Sequence, residues 1–262
     1  HKADTVAVLG CMASRLKERL LEQGGDLAHV VAGPDSYRDL PGLLETVRSG
    51  ESQSAMSVAL SLNETYADIT PARQASMGKR SAFVSIMRGC NNMCSFCVVP
   101  LTRGRERCRT IDSVVHEVEQ LRDSGFREVV LLGQNVNSYF EGMGKPKSQR
   151  LAAPGGGSDH QQQEYKAATG FKNMYRLRDG HGARFADLLR AVAEVDPELR
   201  IRFTSPHPKD FPDEVLYTIR EFPNIARGIH MPMQSGSDAV LQSMRRGYTR
   251  DAFYDLTKRM RE

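Results

Sequence analysis

No apolar run in the 262-residue sequence approaches the ~18 residues that a bilayer-crossing helix requires, so no membrane is expected among its partners. An even complement of cysteines is also missing: there are five, three of them crowded between positions 90 and 97. That distribution does not read as a secreted disulfide framework and points to a reducing compartment. The chain lacks an initiator methionine and enters a strand-like run, Thr5-Val-Ala-Val-Leu-Gly10, almost at once. It therefore reads as entering mid-domain, and the absence of a targeting peptide carries no weight. Acidic residues are scarce in one place. Between 79 and 109 stand Lys79, Arg80, Arg88, Arg103, Arg105, Arg107 and Arg109 against Glu106 alone, in a chain whose net charge is only +4. Charge focused in this way suits a polyanionic partner, the bland alternative being a solvated basic loop. At 40% hydrophobic and 26% charged residues, disorder is excluded as the overall class, and the length allows one large domain or two smaller ones.

What is present is organised around Arg88-Gly-Cys-Asn-Asn-Met-Cys-Ser-Phe-Cys97, directly after the apolar run Ala82-Phe-Val-Ser-Ile-Met87. Cys90, Cys94 and Cys97 have C-x-x-x-C-x-x-C spacing, which can close three corners of an iron–sulfur cube and leave the fourth iron open. A zinc knuckle is the alternative, but zinc usually takes paired C-x-x-C hooks and four protein ligands, and no fourth Cys or His lies nearby downstream.

This spacing, with Phe96 before the last cysteine, resembles the radical S-adenosylmethionine (SAM) superfamily. Further words narrow the resemblance to tRNA methylthiotransferases of the MiaB type: Met87-Arg-Gly-Cys-Asn, Thr102-Arg-Gly-Arg-Glu-Arg107, Gly133-Gln-Asn-Val-Asn-Ser-Tyr139, Phe203-Thr-Ser-Pro-His-Pro208, Gln234-Ser-Gly-Ser237 and Met244-Arg-Arg-Gly-Tyr248. Residues 200–214 and 229–249 look most like the animal mitochondrial branch, which is also described as binding a regulatory subunit of a cyclin-dependent kinase.

Periodicity places the elements. Strands are expected at 5–10, 29–32, 82–87, 128–132, 199–204 and 227–231. Helices are expected at 14–23, 36–48, 111–124, 184–189, 212–221, 237–244 and 249–261, with 51–79 as linker. From Glu141 to Gly182 the sequence is Gly-rich, without apolar period, and reads as a disordered surface insertion. The fold class is thus α/β. The resemblance implies a partial (β/α) radical-SAM barrel, four of an expected six units, preceded by the end of a small α/β amino-terminal domain. Residues 1–70 would be the end of that domain plus linker, and 76–262 the truncated core. Two strands and an RNA-binding β-domain would lie beyond Glu262.

The resemblance also implies the chemistry. A [4Fe-4S] cluster on Cys90, Cys94 and Cys97 would chelate SAM at its open iron and, fed by an electron donor, cleave it to a deoxyadenosyl radical. Cys11 matches the third ligand of an auxiliary [4Fe-4S] cluster, giving two clusters in the full-length enzyme; the other two auxiliary cysteines have no counterpart here. Read alone, a Cys at a strand end is more often a small buried apolar residue. SAM contacts would come from Phe96, Gly133, Gln134, Thr204, Ser205, Gln234 and Ser235, although the loop residues could equally serve as turns or caps. Arg103, Arg105, Arg107 and Arg109 would touch tRNA phosphates. His207, between two prolines, suits a structural role, and Cys108 stands apart from the cluster set. The implied reaction is methylthiolation at C2 of an isopentenylated adenosine next to the anticodon, in the mitochondrial matrix or otherwise the cytoplasm. Threonylcarbamoyladenosine and a ribosomal-protein aspartate are the alternatives within the family. A binding protein for a cyclin-dependent kinase activator, with a structural cluster, is the alternative outside it.

Overall fold

The computed structural model describes residues 5–22, 28–61, 80–142, 171 and 182–262. The chain separates into two compact units: His1–Thr65 with Gly89–Asn92 and Cys97–Glu106, and Tyr66–Arg88 with Met93–Phe96 and Arg107–Glu262.

The first unit holds a parallel three-stranded sheet in the order β1 (Ala7–Leu9), β2 (Val30–Ala32), β3 (Ala55–Ser57). Val8 faces Val31, and Val31 faces Met56. The central β2 is Val-Val-Ala and buried throughout, as a strand covered on both faces must be. Ala13, Ala28 and Val31 form the core, with Leu20, Leu21 and Met56 against it. The helix expected over 14–23 is two pieces, α1 (Cys11–Leu16) and α2 (Arg19–Glu22). Lys17 breaks it by taking φ 48°, its N–H closing on the Ala13 carbonyl. The expected 36–48 helix opens with a single 3-10 turn at Tyr37–Asp39 before α3 (Leu40–Arg48). Strand β3 lies where linker was expected, because Ala-Met-Ser has no alternation of its own and becomes a strand only by pairing with β2. The rest of that linker lies outside the described residues. A short helix, α4 (Val99–Thr102), completes the unit.

The second unit is built on a parallel sheet in the order β4 (Ser81–Ser85), β7 (Glu128–Leu132), β8 (Arg200–Phe203). Ala82 is level with Val129 and Val129 with Ile201, so one row of apolar side chains crosses all three strands. That row packs on α5 (Ile111–Asp123), α6 (Phe185–Ala193) and α7 (Asp213–Glu221) through Val114, Val118, Leu188, Leu189, Val192 and Val215. Burial of each such side chain contributes roughly 1.5–3 kcal/mol. Thr110 caps α5 by accepting from the Ser113 N–H at 3.2 Å. The helix ends in a Schellman turn at Gly125 (φ 84°), with Gly125 N–H on Arg122 O and Phe126 N–H on Leu121 O.

Two departures from expectation concern strands. After Ser85 the chain leaves the sheet, and β5 (Met87–Arg88) pairs antiparallel with β6 (Arg107–Cys108). The two-residue ladder is too short for any sequence period to show. The strand expected at 227–231 does not form; that position in the fold is taken by a single parallel bridge, Ile201 to Ile225, with hydrogen bonds from Ile201 N to Asn224 O and from Ala226 N to Ile201 O. Three strands and a bridge therefore stand where four strands were expected. The 141–182 insertion lies outside the described residues except at 141, 142, 171 and 182, where Phe171 pairs with Tyr248. Two further helices, α8 (Asp238–Ser243) and α9 (Arg250–Arg261), close the chain. No described helix is long and apolar enough to cross a membrane.

Candidate metal centre and the residues around it

The three thiols of the central loop are all reduced, Cys90 and Cys94 buried and Cys97 half-buried. Gly89 starts the loop at φ 73°, and a Cβ there would collide with the Arg105 carbonyl, so only glycine allows this backbone approach. The Cys90 N–H then donates to Gly104 O at 3.2 Å, and Asn92 N–H donates to the Cys90 sulfur at 3.4 Å. Amide donors on a sulfur favour its thiolate form, which is the form that ligates iron. Cys94 is held from elsewhere: Arg246 Nη1 lies 3.3 Å from its sulfur. The next residue is tied down twice, Ser95 N–H to Met244 O at 3.1 Å and Ser95 Oγ to Ser243 O at 2.9 Å.

Among the described residues no three His, Cys, Asp or Glu side chains are grouped about one metal ion. A cube makes a different demand, since each thiolate binds a separate iron. The donor set fits that group: three thiols, two of them buried, with amide and guanidinium donors on their sulfurs.

Of the residues expected to hold SAM, Gly133 and Gln134 follow the carboxyl end of β7 and Thr204 and Ser205 that of β8, whereas Phe96 lies in the cysteine loop and Gln234 and Ser235 in the turn before α8. Gly133 directly follows β7, and its missing side chain has a packing reason, because a Cβ would meet Met87 Cγ at 2.6 Å. Gln134 beside it is half-buried. Thr204 extends the ladder past β8, its N–H on Leu131 O at 3.2 Å. Ser205 and Gln234 are exposed and both take left-handed backbone, φ 60° and 73°. Non-glycine residues held there cost about 1–3 kcal/mol and cluster at functional sites. Ser235 Oγ accepts from the Ser237 N–H at 3.1 Å, so it shapes the turn into α8. Phe96 is 55% exposed.

The basic run does not form one face. Arg109 is buried and its guanidinium is spent inside the fold, on Glu117 at 2.5 Å, on the Ser85 carbonyl and on Ser113. Arg107 is buried in the β5–β6 hairpin. Arg103 Nε donates to the Cys11 sulfur at 3.0 Å. Only Arg105 of the four has an exposed side chain. The expectation that all four meet phosphate is thus corrected for Arg107 and Arg109, whose burial removes them from any backbone-tracking surface. Cys108 accepts from the Phe140 N–H at 3.4 Å and packs against the core.

Sequence reasoning missed the polar network beneath these loops. Asn135 Nδ2 donates to Asp210 at 2.8 Å, and Asn137 bridges both ways to His207, its Oδ1 accepting from the His207 N–H and its Nδ2 reaching the His207 carbonyl. Burial first, then the charges of Arg246 and Lys209, hold the His207 imidazole well below its ordinary range, so it is neutral. Burial likewise pushes the Tyr139 phenol up, and its hydroxyl donates to Arg109 O. Arg246 was missed because nothing in Met244-Arg-Arg-Gly-Tyr248 distinguishes the buried arginine from its exposed neighbour.

A parallel sheet with a three-cysteine loop after its first strand and polar turns at its strand ends defines a class. The chain belongs to the radical SAM superfamily, whose profile matches residues 84–262. Relatives narrow the match. The CDK5RAP1-like protein of Oryza sativa subsp. japonica is 52% identical over 256 residues, 98% of this chain and 40% of that one. The mitochondrial tRNA methylthiotransferase CDK5RAP1 of Rattus norvegicus is 52% identical over 98% of this chain and 41% of its own length. The tRNA-2-methylthio-N(6)-dimethylallyladenosine synthase of Amoebophilus asiaticus (strain 5a2) is 50% identical over 94% of this chain and 45% of its own. The chain spans less than half the length of these curated relatives.

Proposed function

We propose that this chain carries the SAM-cleaving core of a tRNA methylthiotransferase, a transferase that places a methylthio group on C2 of N6-isopentenyladenosine next to the anticodon. The observation that carries the reading is 52% identity over 98% of the chain to a protein named as a tRNA methylthiotransferase and 50% over 94% to one named as a tRNA-2-methylthio-N(6)-dimethylallyladenosine synthase, with all three loop cysteines present. Residues 1–70 belong on this reading to the end of an amino-terminal domain, and 76–262 to the catalytic core. Cys90, Cys94 and Cys97 hold the [4Fe-4S] cluster, which supplies the electron that opens SAM. Gly133, Gln134, Thr204, Ser205, Gln234, Ser235 and Phe96 line the SAM side. Arg103 and Arg105 are left as the phosphate-facing part of the basic run, and an unstacked anticodon-loop base reaches such a site without melting a duplex. Cys11 is assigned to the auxiliary cluster that supplies sulfur. A low-potential electron donor is required, and the mitochondrial matrix is the proposed compartment.

The test is anaerobic reconstitution with iron and sulfide, then SAM, dithionite and an isopentenylated anticodon stem-loop. Iron–sulfur absorption and 5′-deoxyadenosine support the core reading. Zinc without iron, or no deoxyadenosine from a fully loaded protein, overturns it in favour of a non-catalytic protein that binds a kinase activator. Deoxyadenosine formed only with a threonylcarbamoyl substrate would overturn the choice of base alone.

A further inference from the structure

Arg246 is 8% exposed, and among the described residues no carboxylate lies within ion-pair reach of it. A buried guanidinium lacking an opposite charge costs several kcal/mol of lost hydration, so its retention needs an anion. Its polar contacts are few: Nη1 on the Cys94 sulfur at 3.3 Å and Nε on the Tyr248 hydroxyl at 3.3 Å, with the guanidinium 5.5 Å from the Tyr248 ring centre. Tyr248 is fixed in turn, donating to Met233 O at 2.8 Å and packed against Phe171, His207 and Phe253.

The backbone aims this side chain at some cost. Helix α8 ends in the same Schellman pattern as α5, Arg245 N–H on Gln242 O and Arg246 N–H on Leu241 O, but the left-handed residue is Arg245 (φ 56°) where α5 has glycine. Gly247 then turns again at φ 74°. The two turns put Arg246 inward while Arg245 stays exposed. Ser95, the neighbour of Cys94, is hydrogen-bonded to the last carbonyls of the same helix. One short segment, 243–248, thus holds the Cys94 sulfur and both the backbone and the hydroxyl of the adjoining Ser95.

We propose that Arg246 is a positioning residue for the iron–sulfur group: it seats Cys94 and stabilises the reduced, more negative state through the sulfur it donates to, with Tyr248 holding the guanidinium in place. The proposal rests on the cluster reading above. Reduction adds one electron to a group already bound by three thiolates, so a fixed cationic donor at one ligating sulfur favours the reduced form and raises the potential.

The experiment is a redox titration, followed by electron paramagnetic resonance, of the reconstituted chain and of Arg246→Met, Arg246→Lys and Tyr248→Phe, with iron per chain measured for each. Arg246→Met is expected to make reduction about tenfold less favourable, about 59 mV for one electron. Arg246→Lys recovers most of that shift, and Tyr248→Phe, which keeps the charge but loosens its seat, moves the potential a smaller amount in the same direction. Equal iron and an unchanged potential in Arg246→Met overturn this inference alone. A wild-type chain that takes up no iron overturns the cluster reading and this inference with it. Should Arg246→Met fail to fold or load, Arg246→Lys and Tyr248→Phe decide: two unchanged potentials sink the proposal, and a lowered potential in Tyr248→Phe sustains it.

Discussion

Arg109 and Arg246 are buried to the same 8% exposure and in opposite ways. Arg109 has a carboxylate, Glu117, and fills its remaining donors with Ser113 and the Ser85 carbonyl, all on elements that build the second unit. Arg246 has a thiol, a phenol and a ring face. The first is a closed structural pair whose charge is cancelled on site; the second is a cation whose field remains to act on what binds Cys94. Equal burial therefore separates into architecture and chemistry only when the partners are named.

The most severe way to break the comparison is to remove the acceptor. Cys94→Ala should abolish iron–sulfur absorption, measured as iron per chain after anaerobic reconstitution, because two thiolates cannot hold the three-cornered group. Next in size is Arg109→Met, expected to destabilise the chain by about 3–5 kcal/mol in urea unfolding by taking the cationic partner from a buried Glu117 carboxylate. Adding Glu117→Met should recover most of the loss, and no recovery would mean the pair is not what matters there. The matching change, Arg246→Met in the metal-free chain, should alter stability by less than about 1 kcal/mol in either direction, since exchanging a poorly compensated buried charge for an apolar side chain is often neutral or stabilising. A loss as large as that of Arg109 would collapse the distinction.

A pH test sharpens it further. His207 is held neutral by burial and by the charges of Arg246 and Lys209, whereas the unfolded chain takes up a proton below about pH 6.5. Unfolding then binds the proton, so stability is intact above that pH and falls below it by up to about 1.4 kcal/mol per unit. His207→Gln should flatten that slope, and in Arg246→Met the imidazole should titrate at a higher pH by nuclear magnetic resonance; no movement would show that the Arg246 charge is screened. The smallest effect is expected at a surface pair. Glu128 is drawn below the usual carboxylate range by its hydrogen bond from Arg202, so its contribution is present above about pH 4.3 and is lost as pH falls through its lowered folded value. At this exposure Glu128→Gln should cost less than about 1 kcal/mol at pH 7 and nothing at pH 2.

Much of this was legible in the residues. Strand 128–132 and the helices from 111, 213 and 250 lie where periodicity and capping put them, because the strand is a continuous apolar run buried on both faces and each helix buries one face. The three-cysteine loop was readable for a different reason, since ligand spacing is written along the chain and survives any error in element boundaries. What stayed hidden depends on partners far away in sequence. Strand β3 exists by pairing with β2, and the strand expected at 227–231 did not form where Arg227-Gly-Ile-His-Met231 offers a single β-branched residue next to a glycine, leaving one bridge at Ile225. Composition counted Arg103, Arg105, Arg107 and Arg109 as one charged stretch, and only contacts divided them into a thiol donor, an exposed side chain and two buried ones. Arg246 lay inside a recognised motif and still could not be assigned, because burial is a property of the fold.

Strand β8 carries one last consequence. Among the described residues its outer side is bridged at a single pair, Ile201 to Ile225, with both backbone groups of Ile201 taken, so the ladder on that side is one residue long. Its sequence alternates Arg200-Ile-Arg-Phe203, with both arginines exposed. Charge standing on an edge repels a second copy laid beside it, which is how natural sheets keep open edges from polymerising. Arg202 is engaged within the molecule by Glu128, which leaves Arg200 as the charge on β8 that acts between molecules, on colloidal behaviour that no unfolding curve would register.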